Sequence, residues 1–560
     1  MKRQIFRLLV LIVPVFIQYT SFSQGVIKAE SGARIVSQTG SYWVVDNGAF
    51  TFTSTNATNP VTMDNLKIEA EASLQLPTTT CLTVNGTLTN DAGTTGLVIK
   101  SDATSTGSLK ILGNVSGAAI VERYMTPDAW HLISSPTSSQ PIINFLNNNT
   151  DIATAGNTYP YTFAMKNYNS SGTGWITDYF TSGKAIGDLF GPGKGYLVRT
   201  VGPEVTKILQ FEGQLNALPI GNNVPVISGW NLVGNPFTSA ISINYAAGNA
   251  SGGTNFIDEN SDVLKGSFAA VYLWDETAFP KGYIVVNHSH NSSSPFYAQV
   301  GQGFFVKAVA GNLKFTSSMQ VHQGGAIFKG TKVPTPQIKL IAESNVGSTS
   351  TIIEFIEGTT ARLDVGYDAG VFKAEPSFAL YTRLVEDNGV DFQLQCLPPT
   401  GYDKLVIPIG IDSKAASEIV FSVQAVQLDP NCKVILEDRL TDTFTDLSKG
   451  NYKAAVAANT AGTGRFFIHT GDIISGVDDQ VLPGKLTAYA VRNVEIRVVG
   501  EVGEGAVATL YNGLGQVVLT KKLSAGNLNI IGLQNLSSGV YLLKIDNNGT
   551  PQTFKVMVRK

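Results

Sequence analysis

Two seven-residue segments, one hundred positions apart, carry the same pattern. Trp130-His131-Leu132-Ile133-Ser134-Ser135-Pro136 matches Trp230-Asn231-Leu232-Val233-Gly234-Asn235-Pro236. Further on, Gly193-Lys194-Gly195-Tyr196-Leu197-Val198 matches Gly301-Gln302-Gly303-Phe304-Phe305-Val306, and Leu209-Gln210-Phe211 matches Leu313-Lys314-Phe315. The order is kept, so the segment predicts two copies of one β-domain over 124–222 and 223–330, with loops absorbing the differences in spacing. Shared positions read as architecture: Trp130 and Trp230 as buried anchors, Pro136 and Pro236 as turns, and a Gly-x-Gly that lets backbones approach. His131 against Asn231 and Lys194 against Gln302 differ, which argues against chemistry common to both copies.

The rest of the chain alternates with period two, the mark of half-buried strands. Long helical periodicity is absent, and 56 glycines crowd the turns. The expected fold class is all-β and multidomain. Residues 24–123 carry apolar pairs two apart: Leu66/Ile68, Leu74/Leu76, Leu82/Val84, Leu97/Ile99, Leu109/Ile111 and Ala119/Val121. Such short strands at irregular intervals fit a β-solenoid-like region or a flattened sandwich. Residues 337–474 alternate more regularly, as a β-sandwich does, after a Pro-rich linker at 331–336.

Residues 486–560 alternate again, broken by Asn512-Gly513, Ser538-Gly539 and Asn547-Asn548-Gly549. Asn-Gly tolerates positive φ and closes hairpins, so a small antiparallel sandwich is expected. Three stretches stand out: Tyr511-Asn512-Gly513-Leu514-Gly515-Gln516, then Gly539-Val540-Tyr541, then a basic end that includes Lys555 and Arg559. Together they resemble the type A-like C-terminal sorting domain of the type IX secretion system of Bacteroidetes. The family's frequent Asn-Pro pair before the first strand is absent, and Ala488 to Asn493 stands there instead. The resemblance implies export, with the type IX machinery as partner, and delivery to the cell surface or medium.

The N-terminus agrees with export. Lys2, Arg3 and Arg7 precede about ten apolar residues, too few to span a bilayer, which needs about 20. Ser21 and Ser23 place the expected cleavage before Gln24, making residues 1–23 a signal peptide. No later transmembrane segment is expected. With 40 basic and 43 acidic residues, net charge −3, nothing suits the chain to nucleic acid. Cys396 and Cys432 fall in one expected domain; they either pair in an oxidising compartment or stay buried thiols.

No Gly-x-Ser-x-Gly or His-Glu-x-x-His occurs, so neither a serine hydrolase nor a zincin is indicated. Gly191 to Gly195 lacks the Ser/Thr and spacing of a phosphate loop. His288 and His290 sit in a polar stretch that reads as a solvated loop. Asp258, Asn260 and Asp262 occupy the first three ligand positions of a calcium loop, but Val263 and Ala269 stand where Gly and Glu belong. They are the metal candidates; no cofactor is otherwise expected. Aromatics gather in both copies, among them Tyr168, Trp175, Tyr272, Trp274 and Tyr283. Such rings fill cores or stack on sugars. The sequence thus points to an exported, non-enzymatic, adhesin-like or glycan-binding scaffold. The rival is a polysaccharide-acting enzyme with a carboxylate pair in 124–330.

Overall fold

The computed structural model describes residues 24–28, 42–46, 48–53, 60–155, 162–171, 174–175, 188–202, 207–216, 220–245, 254–275, 279–289, 295–322, 335–373, 378–384, 389–400, 405–428, 432–471, 486–491, 495–533, 536–537 and 539–558. The proposed signal peptide, His290, Arg559 and the final linker lie outside them. The fold is all-β and multidomain, with two short α-helices among the described residues. No helix there is long and apolar enough to cross a membrane.

The described residues between 24 and 125 wind as a parallel coil. Phe50 lies beside Leu74 and Leu74 beside Leu97 on one ladder. Leu66 lies beside Leu88 on a second, and Val61, Leu82 and Leu109 align on a third. Apolar pairs thereby stack from rung to rung, with Asn90 beside Ile68 the polar exception, and the six pairs named above are all buried. A single rung exposes its pair on both sides, so stability comes from stacking.

The coil ends by changing direction. Ala118–Met125 pairs in parallel with Leu97–Ile99 on one side and antiparallel with Lys207–Leu215 on the other. One strand is both the last rung of the coil and the first strand of the duplicated region. The expected boundary at 123/124 therefore falls inside a strand, and the boundary at 222/223 falls inside Ile220–Val226. Turn residues mark loops, but a strand shared by two regions within one seven-stranded sheet leaves no break in the sequence.

The two copies have one register. Trp130–Ser134 pairs with Gly195–Arg199, Trp130 opposite Arg199. Gly229–Gly234 pairs with Gly303–Ala308, Trp230 opposite Lys307. In the first copy, Asn149 Nδ2 donates to the carbonyls of Phe145 and Gln210, and its Oδ1 accepts from the Gln210 amide. In the second, Asn260 does the same with Phe256 and Lys314. Phe145 packs on Phe211, and Phe256 on Phe315, at 4.9 and 5.3 Å between centroids.

The copies meet about an approximate two-fold axis. The Ser134 amide donates to Gly301 O, and the Gly234 amide to Gly193 O. Isolated bridges join Ile133 to Gln302 and Val233 to Lys194. Gly193 and Gly301 share one left-handed conformation, with φ of 71° and 72°. The Gly-x-Gly is what makes the meeting close: a Cβ on Gly303 would lie 2.7 Å from Ile133 O, and one on Gly195 2.8 Å from Val233 O. Asn216 Nδ2 donates to both Pro136 O and Pro236 O, so the two buried turn prolines are bridged.

Both copies also cap the coil. The first does so through Lys207–Leu215. The second exchanges hydrogen bonds between Thr238 and Leu109, sends Gln320 Nε2 to Ile111 O, and inserts His322 between Thr83 Oγ1 and Ser108 Oγ.

Where a sandwich is expected over 337–474, the described residues form one eleven-stranded sheet. It coils until its ends meet: Tyr452 OH, near one end, donates to Asp438 Oδ2, near the other, and Arg465 clamps Asp438. Its core holds Ile338, Leu340, Ile407, Ile409, Phe421, Leu436 and Ile468. Among the described residues no two of the three cysteines form a disulfide. Three strands separate the strand of Cys396 from the one that follows Cys432. At ~4.8 Å per strand that is about 19 Å, far beyond disulfide reach, so the Cys396–Cys432 alternative is corrected.

The tail is a two-sheet sandwich. Thr487–Val491, Glu495–Val502 and Gly526–Gly532 form one sheet; Val517–Lys522, Val507–Tyr511, Gly539–Asn547 and Thr550–Val558 form the other. Ile496, Val498, Leu510, Leu543, Ile545 and Val556 fill the space between.

Candidate functional site: an aromatic seam and a sorting turn

Alternation on Gly303–Ala308 sends Phe304 into the core of the second copy and Phe305 out of it. Around Phe305 the chain gathers rings from three regions. Tyr168 and Trp175, opposite each other on a short hairpin of the first copy, approach Phe305 at 4.7 and 5.6 Å. Tyr283 of the second copy lies 5.7 Å away, and Phe372 of the coiled sheet 4.7 Å. Trp274 adds to Tyr283 at 5.1 Å. On the far side Trp230 packs against Tyr272 at 4.8 Å and Phe372 at 4.3 Å. Most of these contacts are edge-on, the arrangement ring quadrupoles favour. Tyr168, Trp175, Trp230, Trp274 and Tyr283 stay half-buried, so the seam presents ring surface outward.

Its polar groups are few. The buried Tyr272 hydroxyl donates to Gly370 O at 2.8 Å, and burial pushes its pKa well above the ordinary value. The Trp274 indole N–H is buried and meets no acceptor among the described residues. Lys307 lies over the Phe268 ring at 3.5 Å and the Trp230 ring at 5.2 Å. Burial, then neighbouring Lys265, lowers its ammonium to about 8.

Trp130 and Trp230, expected as equivalent and largely buried anchors, are both partly exposed and otherwise covered. Each lies on the outward face of its strand, under a lysine, Lys166 for Trp130 and Lys307 for Trp230. Their identity between copies is legible in the sequence; which face they occupy is not, because both faces of these strands are covered.

The calcium candidates do not converge. Asn260 is buried, and its amide is spent holding Phe256 O and Lys314. Asp258 pairs with His288 at 2.9 Å, and Asp262 with Lys314 at 3.5 Å. The matching Asn149 of the first copy shows that the asparagine is architectural.

In the tail, Asn512 builds the sorting turn. Its Oδ1 accepts from the amides of Leu514 and Gln516, and its Nδ2 donates to Gln516 Oε1. Gly515 takes φ +79°. Tyr541 is buried and donates to Ser537 O, while Leu514 at the turn is 86% exposed.

The family described as Domain of unknown function (DUF8693) matches residues 36–469, which is most of the chain. The chain belongs to the DUF8693 family. The DUF8693 region takes in the coil from its early rungs, both copies and the coiled sheet, and so contains the whole aromatic seam. Residues 491–559 match the Secretion system C-terminal sorting domain, Por_Secre_tail. That match makes this DUF8693 chain a type IX-sorted protein, exported to the cell surface or medium. No curated protein matches it. Two solved structures show a faint likeness. The adhesin domain of Epf from Streptococcus pyogenes is 12% identical over 40% of this chain and 92% of that one, at a TM-score of 0.12. A biofilm associated protein, BSP domain, is 12% identical over 79% and 92%, at 0.18. At such scores neither carries an argument.

Proposed function

We propose that the chain is a non-enzymatic, adhesin-like scaffold that the type IX machinery delivers outside the cell, where the seam binds surface glycans. One observation carries this reading: half-buried Tyr168, Trp175, Trp274 and Tyr283 cluster around Phe305 where three regions join. Flat, partly exposed ring faces suit the apolar face of a sugar. The non-catalytic reading is supported by how acids in and beside the two copies are used. Asp128 pairs with Arg199, Asp151 with Lys207, Asp258 with His288 and Asp262 with Lys314. Each meets a base rather than a second carboxylate, whereas glycoside cleavage needs two carboxyls facing one bond.

The test is a glycan-binding screen of the purified mature chain against Trp175→Ala and Tyr283→Ala. The reading expects retention of a polysaccharide that each substitution weakens about tenfold, on the scale of one lost stacking contact. Binding unchanged in both variants, or hydrolysis of a bound glycan, overturns it.

A further inference from the structure

The residues of the sorting motif divide into two kinds. Asn512, Gly515 and Gln516 shape the turn, and Tyr541 fills the core. Leu514 does neither: it is held out by the Asn512 Oδ1 bond to its own amide. It is not alone on the surface. Val517 and Leu542 flank Tyr511 across the sheet, and they are 58% and 46% exposed. Val518 and Val540 are exposed too. Since Leu510, Tyr541 and Leu543 point into the core, alternation puts Tyr511, Val540 and Leu542 on the opposite, outward face. Exposed apolar residues scattered singly mean nothing, but a contiguous set on one end of a sheet marks an interaction surface.

We propose that this face is where the type IX machinery grips the tail, with Leu514 as the inserted residue and the apolar sheet end as its surround. The proposal rests on the tail's being an export signal, which the family match carries, and is independent of what the seam binds. A second copy of the chain suits the face less well. Lys544 lies on the same face, and the edge strand Val517–Lys522 ends in two exposed lysines. Stacking two such faces brings like charges together, whereas a partner with an apolar pocket and an acidic rim complements both halves. The rigid turn presents Leu514 at little entropic cost, which favours a fixed pocket in the partner.

The experiment expresses the full-length chain in a cell with a type IX system and compares the surface-plus-medium fraction with the periplasmic one. Leu514→Asp and Leu542→Asp should each lower the exported fraction about tenfold or more, the loss expected from an apolar anchor replaced by a charge. Leu514→Met should export normally, because it keeps an apolar side chain of similar size at the turn. Purified Leu514→Asp should melt as the native chain does, because nothing packs on a side chain so exposed. Folded Leu514→Asp exported within about twofold of the native level overturns the proposal. So does a native chain that self-associates through this face while Leu514→Asp abolishes association and leaves export intact. Deleting residues 486–560 is the separate control: export of that truncation would sink the reading of the whole tail, not merely of the face.

Discussion

Ser134 and Gly234 are equivalent residues of the two copies, and they face each other across the approximate two-fold axis. A Cβ on Gly234 would come within 2.4 Å of the Ser134 Cβ and 2.5 Å of Gln302 O. The symmetry is thus broken at the axis, where one copy keeps a side chain and the other gives it up.

Gly234→Val should therefore force the copies apart. The expected loss is about 2–3 kcal/mol, typical of overpacking with backbone on one side. Thermal unfolding of the purified chain checks it, and Gly513→Val, in open space at the tail, is the comparison that should cost less.

Asn149→Ala and Asn260→Ala should behave alike. Each removes three side-chain hydrogen bonds and leaves a strand amide and a strand carbonyl without their partner in the interior. A loss of about 2–3 kcal/mol is expected for each. Because each change falls in its own copy, the two should add within about 0.5 kcal/mol in chemical denaturation of the double variant.

His322 predicts a pH response. Burial, then Lys110, depresses its imidazole from 6.5 to about 3. Between those values the unfolded chain binds a proton that the folded chain refuses. Stability from this group is full above about pH 6.5 and declines as pH falls toward 3, by up to roughly 4 kcal/mol. Melting temperature against pH checks this: His322→Gln should flatten the decline, because the amide keeps hydrogen-bonding capacity towards Thr83 and Ser108 without titrating.

Gly515→Val should damage the sorting turn. At φ +79° a β-branched residue costs about 1–3 kcal/mol. The chain beyond the turn would lose protection in hydrogen exchange, while the DUF8693 region keeps its own.

Much of this is legible from spacing. Leu74 and Leu76 announce a strand because period two needs no partner to be seen, and the paired motifs announce a duplication because sequence is what was copied. The sorting turn is legible because Asn512 and Gly515 satisfy local rules of turn chemistry. What stays hidden depends on partners distant in sequence. Nothing in Gly195 or Gly303 says that the strand met is the other copy's. Trp230 reads as core because a tryptophan facing a neighbouring domain looks the same as one facing its own. Phe304 and Phe305 are adjacent and alike, yet one belongs to a core and the other to the candidate site. Asn260 has a calcium-like spacing, and its work is to hold a helix end to a strand.

The double membership of Ala118–Met125 sets an order of events. Its parallel side is satisfied as soon as the coil forms, but its other edge waits for Lys207–Leu215, some ninety residues later in synthesis. The ladder ending at Ser108–Ile111 waits longer still, for Thr238, Gln320 and His322. An unpaired strand edge recruits other strands. The newborn chain therefore passes through an interval of exposure that no property of the finished protein reveals, and a chaperone that covers parallel edges would matter more to its yield than to its stability.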